Sequence, residues 1–231
     1  MSIRHWATAA VLVSAALPAA AVDFTFYKLG RGASDVLPTD GIVCTGGDRC
    51  KSNVDASVFG GDLTFVSDGV TMVATASYTG GASAVVQDAT SNWTLANSAG
   101  LGVYHSKITS DDNITFGEAL TITFDPTVTL TGIGLRAEGH NFTGWNTGAT
   151  FLFNGSQMLL PDNVGTISGL SVTGSVFTFA FDDSRTGDPF YLSGLTVTPV
   201  PEPETYALML AGLAARGAAS RRRRQRQASA G

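Results

Sequence analysis

Between residues 22 and 200 the apolar positions recur at every second residue rather than at helical spacing, and Gly, Thr, Ser and Val fill the places between them. This period of two predicts strands with one buried and one solvated face. Asp23-Phe24-Thr25-Phe26-Tyr27-Lys28 alternates in this way, as do Leu63-Thr64-Phe65-Val66 and the run from Val70 through Met72, Ala74 and Ala76 to Tyr78. Leu120-Thr121-Ile122-Thr123-Phe124 and the run Val128, Leu130, Gly132, Ile133, Leu135 set Leu, Ile, Phe and Val on one face and Thr or Gly on the other. Val176-Phe177-Thr178-Phe179-Ala180-Phe181 places three phenylalanines on a single face, and core packing is the reading preferred over an aromatic binding surface. Asn154-Gly155, set between two such runs, signals a type I′ hairpin.

Roughly ten to twelve short strands at this spacing predict an all-β fold, specifically an antiparallel two-sheet sandwich of jelly-roll type. Residues 35–57 form its longest irregular loop. A β-helix is the alternative, and no fixed repeat period supports it.

The two ends read differently. Arg4 precedes an apolar run over residues 7–17, and Ala19 and Ala21 satisfy the small-residue requirement of a cleavage site. Residues 1–21 are therefore assigned as a signal peptide, helical and removed after Ala21, which implies the Sec machinery and signal peptidase as partners. Residues 22–199 form the extracellular β domain. Residues 200–226 form the tail, where Pro201-Glu202-Pro203 is followed by an apolar segment at 207–215, then Arg216, then Arg221, Arg222, Arg223, Arg224 and Arg226. The prolines keep the chain extended and accessible. The apolar segment predicts a short transmembrane helix, and the arginine cluster a cytoplasmic stop.

Motif, apolar run and arginine cluster in this order resemble the PEP-CTERM sorting signal of Gram-negative bacteria, a tail sometimes labelled the C-terminal domain of ice-binding proteins. The resemblance implies processing by an exosortase near Pro201-Glu202-Pro203, transient residence in the inner membrane, and a destination at the cell surface or in the exopolysaccharide matrix. Arg216 departs from the pattern, because an arginine at mid-bilayer costs about 2.5 to 3.5 kcal/mol on insertion scales. Residues 206–215 cover only about 15 Å, half of a core about 30 Å thick, so Arg216 must snorkel toward the cytoplasmic arginines. Gly100-Leu101-Gly102-Val103-Tyr104, followed by Asp111-Asp112-Asn113-Ile114 and Glu118-Ala119-Leu120, also resembles surface domains that accompany such tails, as does Phe190-Tyr191-Leu192-Ser193-Gly194-Leu195-Thr196-Val197 as a last strand.

Charge changes the picture once the ends are set aside. The whole chain carries 14 Lys+Arg against 19 Asp+Glu, but residues 22–204 keep 7 basic against all 19 acidic side chains, a net charge of −12. An acidic, lysine-poor surface argues against nucleic acid and anionic lipid as partners and is compatible with divalent cations or a hydrated polysaccharide matrix. The two cysteines, Cys44 and Cys50, are expected to form a disulfide in an exported chain; a metal pair is the alternative.

Candidate chemistry is sparse. His105 and His140 sit in no recognisable catalytic or metal motif, and no G-x-S-x-G, H-E-x-x-H or P-loop sequence is present, so the chain is read as a non-enzyme without a cofactor. Asp111, Asp112 and Glu118 around one turn are candidate ligands of a structural calcium, as are Asp182, Asp183 and Asp188 around another; solvated turn residues and strand caps are the alternative. His140, Asn141 and Trp145 set an aromatic ring beside polar side chains, the arrangement that grips sugars, with a buried loop anchor as the competing reading. The function expected is thus a non-catalytic, polysaccharide-associated surface or matrix protein. The alternatives are a secreted polysaccharide hydrolase using paired carboxylates, a calcium-dependent adhesin, or an ice-binding protein. The last has only T-x-T fragments, Thr121/Thr123 and Thr127/Thr129/Thr131, and no repeat.

Overall fold

The computed structural model describes residues 19–26, 43–45, 62–78, 81, 83–87, 99–104, 113–139, 143–162, 164–201 and 203–229. The signal segment through Pro18, Cys50, His105, Asp111, Asp112, His140, Asn141 and Glu202 lie outside the described residues. The expectations placed on those residues, the helical signal peptide and the disulfide partner Cys50 among them, therefore lie outside them too.

Eleven strands are described: β1 (Val22–Thr25), β2 (Val43–Thr45), β3 (Leu63–Ser67), β4 (Val70–Ser77), β5 (Ser83–Gln87), β6 (Gly100–Tyr104), β7 (Ala119–Ala137), β8 (Thr150–Phe153), β9 (Ser156–Leu159), β10 (Thr166–Phe181) and β11 (Phe190–Pro199). One helix, α1 (Pro203–Ala228), follows. Every pairing between strands is antiparallel. The pairing path runs β2-β3-β4-β7-β10-β8-β9, and β11 adds to it by pairing with β7, β1 and β6, the last of which pairs with β5. The all-β antiparallel expectation is met, but hydrogen bonding joins the strands into one open sheet and does not divide them into the two sheets of a jelly roll.

The reason lies in β7 and β10, which are far longer than the short strands read from the sequence. The two apolar runs either side of Asp125-Pro126 belong to one strand of 19 residues. Along one edge of β7, the partner is β4 as far as Asp125 and β11 from Val128 onward. Pro126 lacks the N–H that a ladder needs, and it falls at the step between partners, where none is required. Opposite this step the β7–β10 register shifts between Gly174 and Val176, so both long strands pass from one part of the sheet to the other through an irregularity.

The alternation then does what the sequence predicts. Leu63, Phe65, Val70, Met72, Ala74, Leu120, Ile122, Leu130, Ile133, Phe177 and Phe179 are all buried. Rings carry the core across strands that share no ladder: Phe26, just past β1, lies 5.2 Å from Phe65 of β3, and Phe24 of β1 lies 5.7 Å from Phe124 of β7. Phe124 continues to Phe177 at 5.9 Å, and Phe177 stacks on Phe153 at 6.1 Å. Each fully buried Phe stabilises by about 1.5 to 3 kcal/mol, and such ring pairs add about 0.5 to 1.5 kcal/mol.

Turn chemistry fixes the hairpins. Asn154 and Gly155 have φ of 49° and 76°, the type I′ geometry expected of them, and join β8 to β9. Asp68 and Gly69, with φ of 47° and 79°, make the same turn between β3 and β4, and the Asp-Gly pair is its signal in the sequence.

Candidate functional site

The last strand delivers the tail. The Val200 N–H donates to Thr127 O at 2.9 Å, the final bond of the sheet, and Pro201 is exposed immediately after it. α1 opens at Pro203, a residue suited to the first helical position because its missing N–H would have no partner there. The junction between sheet and helix therefore presents Pro201 to solvent, where a processing enzyme can reach it. Arg226 in the last turn of α1 complements the negative end of the helix dipole, and Arg221 to Arg224 lie on the same exposed stretch.

One expectation about this tail is corrected. α1 runs for 26 residues, but no helix among the described residues is long and apolar enough to cross a membrane. Its apolar portion ends at Arg216, and Leu210 and Leu213 are exposed. Nine residues of apolar helix give about 14 Å of rise against a hydrocarbon core of about 30 Å.

The two acidic turns, separated by some seventy positions in sequence, prove to be neighbours. Gly117 N–H donates to Asp183 Oδ1 at 3.1 Å, Phe181 N–H to Glu118 O at 3.1 Å, and the rings of Phe116 and Phe181 lie 6.3 Å apart. Yet each described carboxylate of these turns holds a piece of backbone or side chain. Glu118, buried, accepts the Thr115 N–H at 2.8 Å. Asp188 accepts the backbone and side-chain N–H of Asn146 at 2.6 and 3.0 Å. Asp182, also buried, accepts Thr150 Oγ1 and Gln157 Nε2, both at 2.7 Å, and Ser184 N–H at 3.0 Å. The bond from Gln157, then that from Thr150, hold the Asp182 carboxyl well below the usual carboxylate range against the opposing effect of burial. Among the described residues no group of three His, Cys, Asp or Glu side chains could hold a metal ion, and of the calcium candidates Asp111, Asp112 and Glu118 only Glu118 is described.

Of the three sugar-binding candidates, Trp145 alone is described. It is 7% exposed, and its indole N–H donates to Pro189 O at 3.0 Å. The ring thus pins the 143–149 loop to the start of β11 and offers little face to a ligand. Beside it lies an open depression of ≈ 440 Å³ that includes Glu138, Thr143 and Asp188.

A second depression, of ≈ 320 Å³, crosses β1, β7 and β11, where the sequence pattern predicts only strand. Gly132, Gly134 and Gly194 lie in it with Asp23, Ser193 and Thr196. The pattern that could have revealed it is the pairing of Gly132-Ile133-Gly134 with Ser193-Gly194, small residues on what is otherwise a Thr-bearing face.

With this geometry in view, the comparison with protein families is specific to the tail. The PEP-CTERM protein-sorting motif matches residues 199–224, which spans the end of β11, Pro201 and Pro203, the apolar part of α1 and the arginines through Arg224. The chain carries this sorting signal, and the signal implies export with an exosortase as the processing partner. No curated protein matches the chain, and no solved structure matches it.

Proposed function

We propose that the protein is an exported surface or extracellular-matrix component of a Gram-negative bacterium, whose tail is cut by an exosortase near Pro201-Glu202-Pro203 and whose β domain is non-catalytic and associates with exopolysaccharide. The match of residues 199–224 to the sorting motif carries this reading, and the exposure of Pro201 between the last strand and α1 suits it. Support for a non-catalytic domain comes from Glu118, Asp182, Asp183 and Asp188, each of which accepts hydrogen bonds that hold turns together. A hydrolase needs two carboxyls facing one another across a cleft. The net charge of −12 over residues 22–204 disfavours anionic partners and leaves a neutral, hydrated polymer as the fitting one. The sandwich reading belongs here too, and the ring contacts of Phe24 and Phe26 with strands that β1 does not pair with favour two facing layers.

Co-sedimentation of the full chain with purified exopolysaccharide tests the molecular role. Retention of the protein with the polymer is the expected result; equal recovery in the supernatant with and without polymer contradicts it.

A further inference from the structure

The depression across β1, β7 and β11 has the features of a built site. Leu192 pairs with Leu135 and Gly194 with Gly134, so Ser193 is the extra residue of a β-bulge. A bulge redirects the side chain of the inserted residue, and here it places a hydroxyl where the strand alternation would not. Ser193 is 3% exposed, and its hydroxyl makes no hydrogen bond among the described residues. It stands over Gly134: a Cβ there would come within 2.8 Å of Ser193 Oγ. Ser193 lines the open depression, so water meets its hydroxyl in the free protein and a ligand hydroxyl can take that water's place.

Its surroundings define that partner. Gly132 keeps the floor low, since a Cβ would approach Thr196 Cβ and Oγ1 to 3.2 Å. Thr196 Oγ1 donates to Asp23 Oδ1 at 2.7 Å, which leaves the second carboxylate oxygen and the Thr196 lone pairs directed to other donors. Thr25 and Thr166 add hydroxyls to the rim. Among the described residues no Lys or Arg lines the depression to answer an anion, and the one carboxylate there falls far short of the six to eight oxygens that calcium takes. Its volume of ≈ 320 Å³ is at the small end of ligand sites, enough for a single ring.

We propose that this glycine-floored groove, with the Ser193 hydroxyl at its base and Asp23 and Thr196 on its wall, binds one neutral sugar unit of a polysaccharide. The proposal rests on the polysaccharide reading above and names the place where the polymer is gripped. Ser193 donates to a ring hydroxyl or accepts from one, and Asp23 accepts from a second; the glycines let the ring lie against the backbone.

The test uses the ¹⁵N-labelled full chain, with D-glucose, D-galactose and D-mannose as soluble probes and the purified exopolysaccharide as the polymer. The expected result is saturable movement of the Gly132, Gly134, Ser193 and Gly194 amide signals with at least one sugar. Ser193→Ala, at an unchanged melting temperature, should weaken that binding and polymer co-sedimentation about five- to tenfold, the loss of one hydrogen bond. Gly132→Ala, which fills the floor, should remove the amide shifts while the other resonances stay dispersed. Polymer binding that survives in both variants, or shifts confined to the Trp145 depression, overturns the groove and leaves the polysaccharide reading standing. Failure of the wild-type chain to bind the polymer at all overturns both.

Discussion

Asp182 shows how much of this domain depends on single side chains that bridge distant segments. Its carboxylate joins the β8–β9 hairpin, through Thr150 and Gln157, to the turn that follows β10, through Ser184. Because its folded pKa is depressed, the stability it contributes is fully present above the unfolded value of about 3.9 and is lost as pH falls toward the folded value. Asp182→Asn should therefore lower stability by about 1 to 3 kcal/mol at pH 7 in urea titration, and the gap to wild type should close as the pH is taken below about 3.9. A gap that stays constant with pH would show that the charge is not what matters. Nearby, Gly187 admits no side chain, since a Cβ would run into the Asp182 carbonyl oxygen. Gly187→Ala should cost about 2 kcal/mol or more by the same titration. The sequence displayed Asp182, Asp183 and Asp188 as a cluster, but not their partners: Gln157 and Thr150 reach Asp182, Gly117 reaches Asp183 and Asn146 reaches Asp188 only once the chain has folded. The same holds for Ser193, whose burial depends on a one-residue slip in pairing that no local pattern announces.

At the scale of elements, alternation and turn residues were the readable part. Strands with one buried face, such as β3, β4 and β11, lie close to where the pattern of two put them, and the Asn154-Gly155 turn has the geometry its residues dictate. What the pattern could not give is continuity: β7 passes through Pro126 because its edge partners change there, a fact about neighbours rather than about the strand. The rings that link these elements supply another prediction. Phe177 is 1% exposed and touches both Phe124 and Phe153, so Phe177→Ala should destabilise the fold by about 3 to 5 kcal/mol. An unfolding midpoint within error of wild type would mean that the aromatic chain is not the core described here. α1 was legible as an apolar segment followed by arginines, and Arg216 cuts that segment to the nine residues 207–215. Arg216→Leu should extend the apolar run toward Ser220 and increase retention of the unprocessed chain in the inner membrane. Membrane fractionation of cells lacking exosortase checks this, and equal partitioning of variant and wild type would contradict it.

For the whole molecule, the division of labour is between an antiparallel β domain of net charge −12 over residues 22–204 and a short basic tail attached through the exposed Pro201. The tail carries the matched sorting motif at residues 199–224, and the account turns on its being removed. The most direct measurement is the intact mass of the protein recovered from the cell surface and medium, compared between cells that contain an exosortase and cells that lack it. Removal of the chain beyond the Pro201-Glu202-Pro203 region in the first, and accumulation of a cell-bound form retaining α1 and its arginines in the second, is the predicted result. The same C-terminus and the same distribution in both would contradict the account.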